Sequence, residues 1–398
     1  MPYKKVFLNK KKEESLKRFH PWVFSGAIHH TSEPLEEGEI VEIYDSNNNY
    51  IAVGHCQIGS IAVRVLSFNQ KTIDTSFWEN RINAAYQLRK SIGLANNPNN
   101  TYRLIHGEGD SLPGLIVDIY GNTAVMQAHS PGMHVQRIEI ANALKEVMGN
   151  SIENIYYKSE GTLPYKADLG AENEYLVGGE SLVDYAYEND FKFHVDWVKG
   201  QKTGFFIDQR DNRSLLEKYS NGRSVLNMFC YTGGFSCYAM RGGAKLVHSV
   251  DSSAKAIALT DKNIEANFPN NDNRHQSFTE DAFKFLNKIE KGESIYDLII
   301  LDPPAFAKHR SALKNALQGY KKLNAAAFER INKGGIVFTF SCSQVVSKES
   351  FRLAVFSAAA QSGRKVKILH QLSQPADHPI NIYHPEGEYL KGLILEVE

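Results

Sequence analysis

At 398 residues the chain is too long for one ordinary domain and points to two or three. Lys plus Arg and Asp plus Glu each total 45, so the net charge is zero and any surface for a polyanion has to be local. Four widely spread cysteines exclude a disulfide framework or a structural zinc site, and no apolar run approaches the ~18 residues of a membrane span. Free thiols, a cytoplasmic address, no membrane contact and no metal are therefore expected.

In chain order, the first 70 residues alternate short apolar runs with turn signals. VEIYD (41–45) and YIAVGHCQI (50–58) flank the hairpin-like SNNN, and IAVRVLSF (61–68) alternates with period two. A small β-rich domain over 1–72 follows from this. Lys4, Lys5, Lys10, Lys11, Lys12, Lys17 and Arg18 crowd its start among Phe7, Phe19 and Trp22. Such a run is usually a solvated face, but a neutral protein that holds RNA needs a local basic patch. A helix over 77–94 stops at the Asn/Pro-rich ANNPNN (95–100). Residues 73–190 read as a central α+β domain, with a strand at TAVMQAHS, a helix over 135–149 and a loop-rich stretch at 103–121. From 191 to 398 apolar strands alternate with amphipathic helices, the pattern of a parallel α/β sheet.

VLNMFCYTGGFS (225–236) reads as strand, glycine turn and helix start. Gly233 and Gly234 let the backbone approach a ligand, and a helix N-terminus offers free N–H groups. The loop is not GxGxxG. Asp251 closes the next strand, where a carboxylate commonly binds ribose hydroxyls, and Asp281 follows the third. A short loop without a phosphate fingerprint fits S-adenosylmethionine (SAM) better than a dinucleotide. A structural βα turn with a surface aspartate is the plain alternative.

Two strand ends carry chemistry. YDLIILD (296–302) runs into DPPAF (302–306), and FTFSCS (338–343) ends in Cys342. Carbon 5 of a pyrimidine is a poor nucleophile. A thiolate added at carbon 6 turns the ring into an enamine that accepts a methyl group, which splits one hard step into two easier ones. A free thiol of pKa about 8.5 is only slightly ionised at pH 7. A nearby cation, Ser341 or Ser343, or a helix N-terminus is expected to lower it. Asp302 suits the amino edge of a cytosine, Pro303 and Pro304 stiffen the turn, and Phe306 suits stacking on a base. Against this stand a buried structural cysteine and a rigid strand-to-loop turn; Cys230 and Cys237 are read as packing residues.

With HPWVFSGAI (20–28), GEGDSLPGLIVDIYG (107–121), KTGFFIDQRDNR (202–213) and YHPEGEYLKG (383–392), these motifs resemble the large-subunit ribosomal RNA methyltransferases that form 5-methylcytosine in 23S rRNA. The resemblance spans essentially the whole chain and departs at Ala305, where many relatives carry a larger residue. It implies a PUA-like RNA-binding domain, the central domain and a Rossmann-like class I methyltransferase domain. It also implies that Asp208 and Arg210 flank the SAM pocket, that Asn227, Phe229, Gly233 and Asp251 line it, and that Cys342 is the nucleophile; Thr232, Gly234, Asp281 and Asp302, in the loop and at the strand ends, complete the expected cofactor set. The implied partner is 23S rRNA, deproteinised or early in assembly, because the target base has to leave its stack. Two alternatives stay open: a guanine (N7 or N2) methyltransferase that does not use Cys342, and a non-catalytic RNA-binding assembly factor. The sequence also leaves a homodimer open.

Overall fold

The computed structural model describes residues 3–96, 98–164, 169–179, 185–270, 273–291, 295–307 and 309–398. They fall into two compact units. One holds the chain to 190 with 195–207 and 376–387; the other holds 191–194, 208–375 and 388–398.

The first unit contains a six-stranded sheet in the order Trp22–Phe24, Ile61–Ser67, Tyr50–Cys56, Ile40–Tyr44, Lys4–Leu8, Ile28–Thr31. Val6, Leu8, Val41, Ile43, Val63 and Val65 alternate inward and form its core. A five-stranded sheet follows, with helices Thr75–Ser91 and Arg137–Met148 packed together. The Asp74 side chain caps the first helix, accepting from Phe77 N at 3.0 Å, which explains why that helix starts there. The stretch 103–121 corrects the loop-rich expectation: strands Thr101–His106 and Leu115–Tyr120 are joined by a short turn. Arg103 lies opposite Asp118 in this ladder, bonded at 2.7 and 2.8 Å. Charges that read as loop in the sequence are a part-buried cross-strand pair, which a linear pattern does not reveal.

The second unit is built on a seven-stranded sheet: β1 (Ser224–Met228), β2 (Leu246–Asp251), β3 (His275–Thr279), β4 (Leu298–Leu301), β5 (Gly335–Ser341), β6 (Val366–Leu372) and β7 (Lys391–Val397). Their order is β3-β2-β1-β4-β5-β7-β6. The first five are parallel, and β7 runs antiparallel to both its neighbours. Helices α1 (Arg210–Tyr219), α2 (Gly234–Arg241), α3 (Ala254–Asn267), α4 (Ala282–Lys288), α5 (Leu313–Phe328) and α6 (Lys348–Ser362) alternate with the strands. β1, β4 and β5 are buried at every position, as strands covered on both faces require. Fully burying Phe338 or Phe340 contributes roughly 1.5–3 kcal/mol each. Strand order reverses between β1 and β4, so the crevice beyond the carboxyl ends of these strands is where such sheets bind ligands.

Gly392 of β7 sits against the ring of Phe340. A Cβ there would lie 2.5 Å from Phe340 Cδ1. Gly392→Ala is expected to lower unfolding stability by about 1–3 kcal/mol, through overpacking. The midpoint of urea unfolding measures this; an unchanged midpoint would mean that the ring gives way freely.

Candidate active site

The loop after β1 is bent by three left-handed residues: Phe229 (φ 59°), Tyr231 (φ 48°) and Gly233 (φ 78°). The two non-glycine residues each store on the order of 1 kcal/mol or more of backbone strain, so the surroundings have to hold them. Asp251, at the end of β2, does much of this. Its Oδ2 accepts from Tyr231 N at 3.1 Å, and its Oδ1 from Ser253 N at 2.9 Å. Thr260 and Asn263 of α3 donate to the carbonyls of Tyr231 and Thr232 at 2.9 and 2.8 Å. Gly233 then opens α2, and its glycine is required twice over. Its φ is positive, and a Cβ would meet Thr260 Cγ2 at 2.7 Å.

Asn227 is buried on β1, with Nδ2 donating to Ser236 Oγ at 2.8 Å and Oδ1 without a partner among the described residues. Asp208, before α1, accepts from the Tyr389 hydroxyl at 2.7 Å through Oδ2, while its buried Oδ1 also lacks a partner among the described residues. Buried acceptors of this kind call for ligand donors. SAM supplies them as an ammonium, two ribose hydroxyls and an exocyclic amine, so these residues fit it. Arg210 is buried at the first position of α1. Asp281 is exposed and caps α4, accepting from Lys284 N at 3.0 Å.

β4 and β5 pair with Leu301 opposite Thr339, so the residues that follow them leave the sheet side by side. The Cys342 thiol reaches the Pro303 carbonyl at 3.9 Å, which brings the DPPAF turn and the cysteine together. Cys342 is partly exposed, whereas Cys56, Cys230 and Cys237 are buried. Pro304 is exposed and Pro303 buried. Phe306 packs on Tyr320 of α5, ring centroids 4.7 Å apart, and is half-buried. The Tyr320 hydroxyl accepts from Ser341 Oγ at 2.9 Å and lies 3.3 Å from Ser343 Oγ. Both serines expected near the thiol are thus engaged by one tyrosine, and Ser343 Oγ also accepts from Ala307 N at 3.3 Å. Tyr320 ties the two loops together.

Burial pushes the Asp302 carboxyl up to about 7, with the neighbouring Asp208 adding to the rise; a hydrogen bond from Gln209 and the charge of Arg213 oppose it. Near neutral pH this group is therefore a mixture of acid and carboxylate. Gln209, Arg213, Tyr320, Tyr389 and Lys391 were not singled out from sequence. Only the KTGFFIDQRDNR and YHPEGEYLKG runs carried a signal for four of them, and nothing local marks Tyr320.

A PUA-like domain profile matches residues 6–68, and a profile for S-adenosylmethionine-dependent methyltransferases matches residues 162–382. A relative from Tolumonas auensis named "Ribosomal RNA large subunit methyltransferase I" is 41% identical, with 98% of each chain covered. One of the same name from Erwinia tasmaniensis is 38% identical, with 99% of each covered. Among solved structures, a chain described as a SAM-dependent methyltransferase from Streptococcus mutans superposes with a TM-score of 0.83 at 23% identity, covering 99% of this chain and 100% of that one. Another, a methyltransferase complexed with SAH, gives 0.85 at 23% identity with the same coverage. These two show the shared fold. The cofactor is SAM, and the fold is a PUA-like β-rich domain followed by a SAM-dependent α/β methyltransferase.

The raised Asp302 carboxyl makes a stability prediction. Its folded value of about 7 lies above the ordinary 3.8, so between these values the folded state holds a proton that the unfolded state has lost. Stability therefore falls as pH rises through this window, and the penalty is complete above about 7. Asp302→Asn, which cannot ionise, is expected to raise stability at pH 8 by on the order of 2 kcal/mol, with the gain shrinking towards pH 4. This is below the ~4 kcal/mol of the full shift because the residue is partly exposed and solvent screens its charge. Thermal unfolding across that range tests it; a gain independent of pH would contradict the assignment.

Proposed function

The chain belongs to the ribosomal RNA large subunit methyltransferase I family, and from that premise we propose that it forms 5-methylcytosine in 23S rRNA through a covalent Cys342 adduct. The observation that carries this reading is the approach of the Cys342 thiol to the Asp302–Pro303 turn, across neighbouring strand ends. A methyltransferase that attacks only an exposed nitrogen needs no thiol there.

In this reading the Cys342 thiolate adds its electron pair to carbon 6 of cytosine, and the ring's double-bond electrons shift towards carbon 5. Asp302, part neutral near pH 7, offers one donor and one acceptor oxygen. That pair matches the N3 acceptor and N4 amino donor of cytosine, and a proton shared with N3 draws electrons from the ring. SAM, when bound, would supply the methyl group as an electrophile: carbon 5 would form the new bond to it as the sulfonium's bond to the methyl breaks, the cofactor leaving as the neutral thioether. Loss of the carbon-5 proton to water then restores the double bond and expels the thiolate. Asp251 orients ribose hydroxyls, and Asn227, Phe229, Thr232, Gly233 and Gly234 line the cofactor's cradle. Asp208 and Arg210 flank it, and Asp281 stands at its outer edge. Pro303, Pro304 and Phe306 shape the base pocket.

The division 1–72, 73–190 and 191–398 assigns RNA capture to the β-rich domain and chemistry to the last part. Its lysines are partly committed. Lys4 pairs with Glu39 at 3.0 Å and Lys17 with Glu13 at 3.4 Å, whereas Lys10, Lys11 and Lys12 are exposed. The substrate in this reading is cytoplasmic 23S rRNA, deproteinised or early in assembly, whose target base is free to leave its stack.

The test is methyl transfer from labelled SAM to deproteinised 23S rRNA, with the modified nucleoside identified. Wild-type protein is expected to yield methylcytosine, and Cys342→Ala to lose about 10³-fold or more of the rate. Labelled guanine, or undiminished transfer by the variant, would remove Cys342 from the mechanism.

A further inference from the structure

Lys391 begins β7 directly opposite Ser341, one residue before the nucleophile proposed above. Its side chain is only 5% exposed. Burying an ammonium is expensive unless its N–H groups and its charge are both met. Two of its three N–H groups donate at 2.7 Å each to the carbonyls of Ser343 and Val346, in the turn that carries Cys342. Among the described residues no carboxylate lies within ion-pair distance of it. Glu388 acts on it from farther off and is itself paired with Lys348. The anion-forming group that acts on it most strongly is Cys342.

Resting on the covalent reading, we infer that Lys391 is the positioning residue that holds Cys342 as a thiolate, its ammonium serving as the counter-charge to the sulfur. The balance is one proton. It leaves Sγ for water while Lys391 keeps its three hydrogens, and the turn then holds a thiolate–ammonium pair. The relation is reciprocal: a charged sulfur favours the ammonium as much as the ammonium favours the thiolate. Tyr320, on α5, which also acts on this turn, supplies no positive charge: it is held neutral by burial, and its hydroxyl is engaged by Ser341 and Ser343. Around Lys391, the effects of Glu388 and Lys348 oppose each other. Burial draws Lys391 itself down to about 8, so it remains mostly charged at pH 7 and loses its charge above that. The two groups titrate as a pair.

The test reads the thiol alone, in the full-length protein without RNA or SAM. Iodoacetamide labelling of Cys342 is followed by peptide mass spectrometry from pH 5.5 to 10, the other three cysteines being buried. Wild-type Cys342 is expected to titrate at least about one unit below the free value of about 8.5. Lys391→Met, similar in length but uncharged, should slow labelling about 10-fold at pH 7 and recover by pH 10, while Lys391→Arg keeps the low value. A Lys391→Met profile superimposable on wild type, or slowed equally at every pH, would overturn the inference. So would a wild-type thiol titrating at or above about 8.5, which needs no variant to fold. Methyl transfer separates the two ideas. If Cys342→Ala remains active, the covalent reading fails whatever the thiol does; if Cys342→Ala is inactive and the thiol is ordinary, only the role of Lys391 fails.

Discussion

The parallel ladder that sets Leu301 against Thr339 delivers two strand ends side by side, and with them Asp302 and Cys342. Strand side chains alternate with period two, so a one-residue slip of either strand would turn its side chains to the opposite face and shift the residue that follows it. The ladder is protected by burial, since every residue of β4 and β5 is covered. Tyr320 then fixes what lies beyond the strands. It binds the serines either side of the cysteine and packs on the phenylalanine of the neighbouring turn. The rigid sheet sets the spacing of the two strand ends, and one buried tyrosine ties the two loops together.

Asp302 and Lys391 are pulled towards neutrality from opposite directions. Burial raises Asp302 to about 7 and lowers Lys391 to about 8. Each is costly to fold around, and neither has a full ion pair among the described residues to offset it. Groups poised near working pH exchange protons readily, which suits the acid role proposed for Asp302, whereas the role proposed for Lys391 needs it to keep its proton. The bent glycine loop adds strain of a similar kind, held by Asp251, Thr260 and Asn263. Stability is given up locally where chemistry is done and regained in the continuous apolar strands beneath.

The strand-and-turn motifs could be read from sequence because their meaning is local. VLNMFCYTGGFS is strand, bend and helix start in the structure; of Ile257, Ile264 and Phe268, whose i, i+7, i+11 spacing suggests one helix face, the first two are buried on α3 and Phe268 lies at its C-terminal cap. What escaped was tertiary. Tyr320 sits mid-helix with nothing beside it to suggest two serines and a phenylalanine, and Lys391 matters only because an antiparallel strand inserts between β5 and β6. The expected helpers Ser341 and Ser343 are near the thiol in sequence, yet their hydroxyls face the tyrosine. The 103–121 stretch was misread because Arg103 and Asp118 satisfy each other across a ladder. Phe306, expected on a base, has Tyr320 against it.

The central claim is that Cys342 bonds to cytosine carbon 6 during turnover, and a trapped intermediate tests it most directly. Incubating the protein with SAM and 23S rRNA carrying 5-fluorocytidine blocks the last step, because carbon 5 then has no proton to lose. The account predicts a denaturant-stable protein–RNA adduct whose linked peptide contains Cys342. Methyl transfer to unsubstituted RNA by the same preparation, with no adduct formed or with one at another residue, would contradict it.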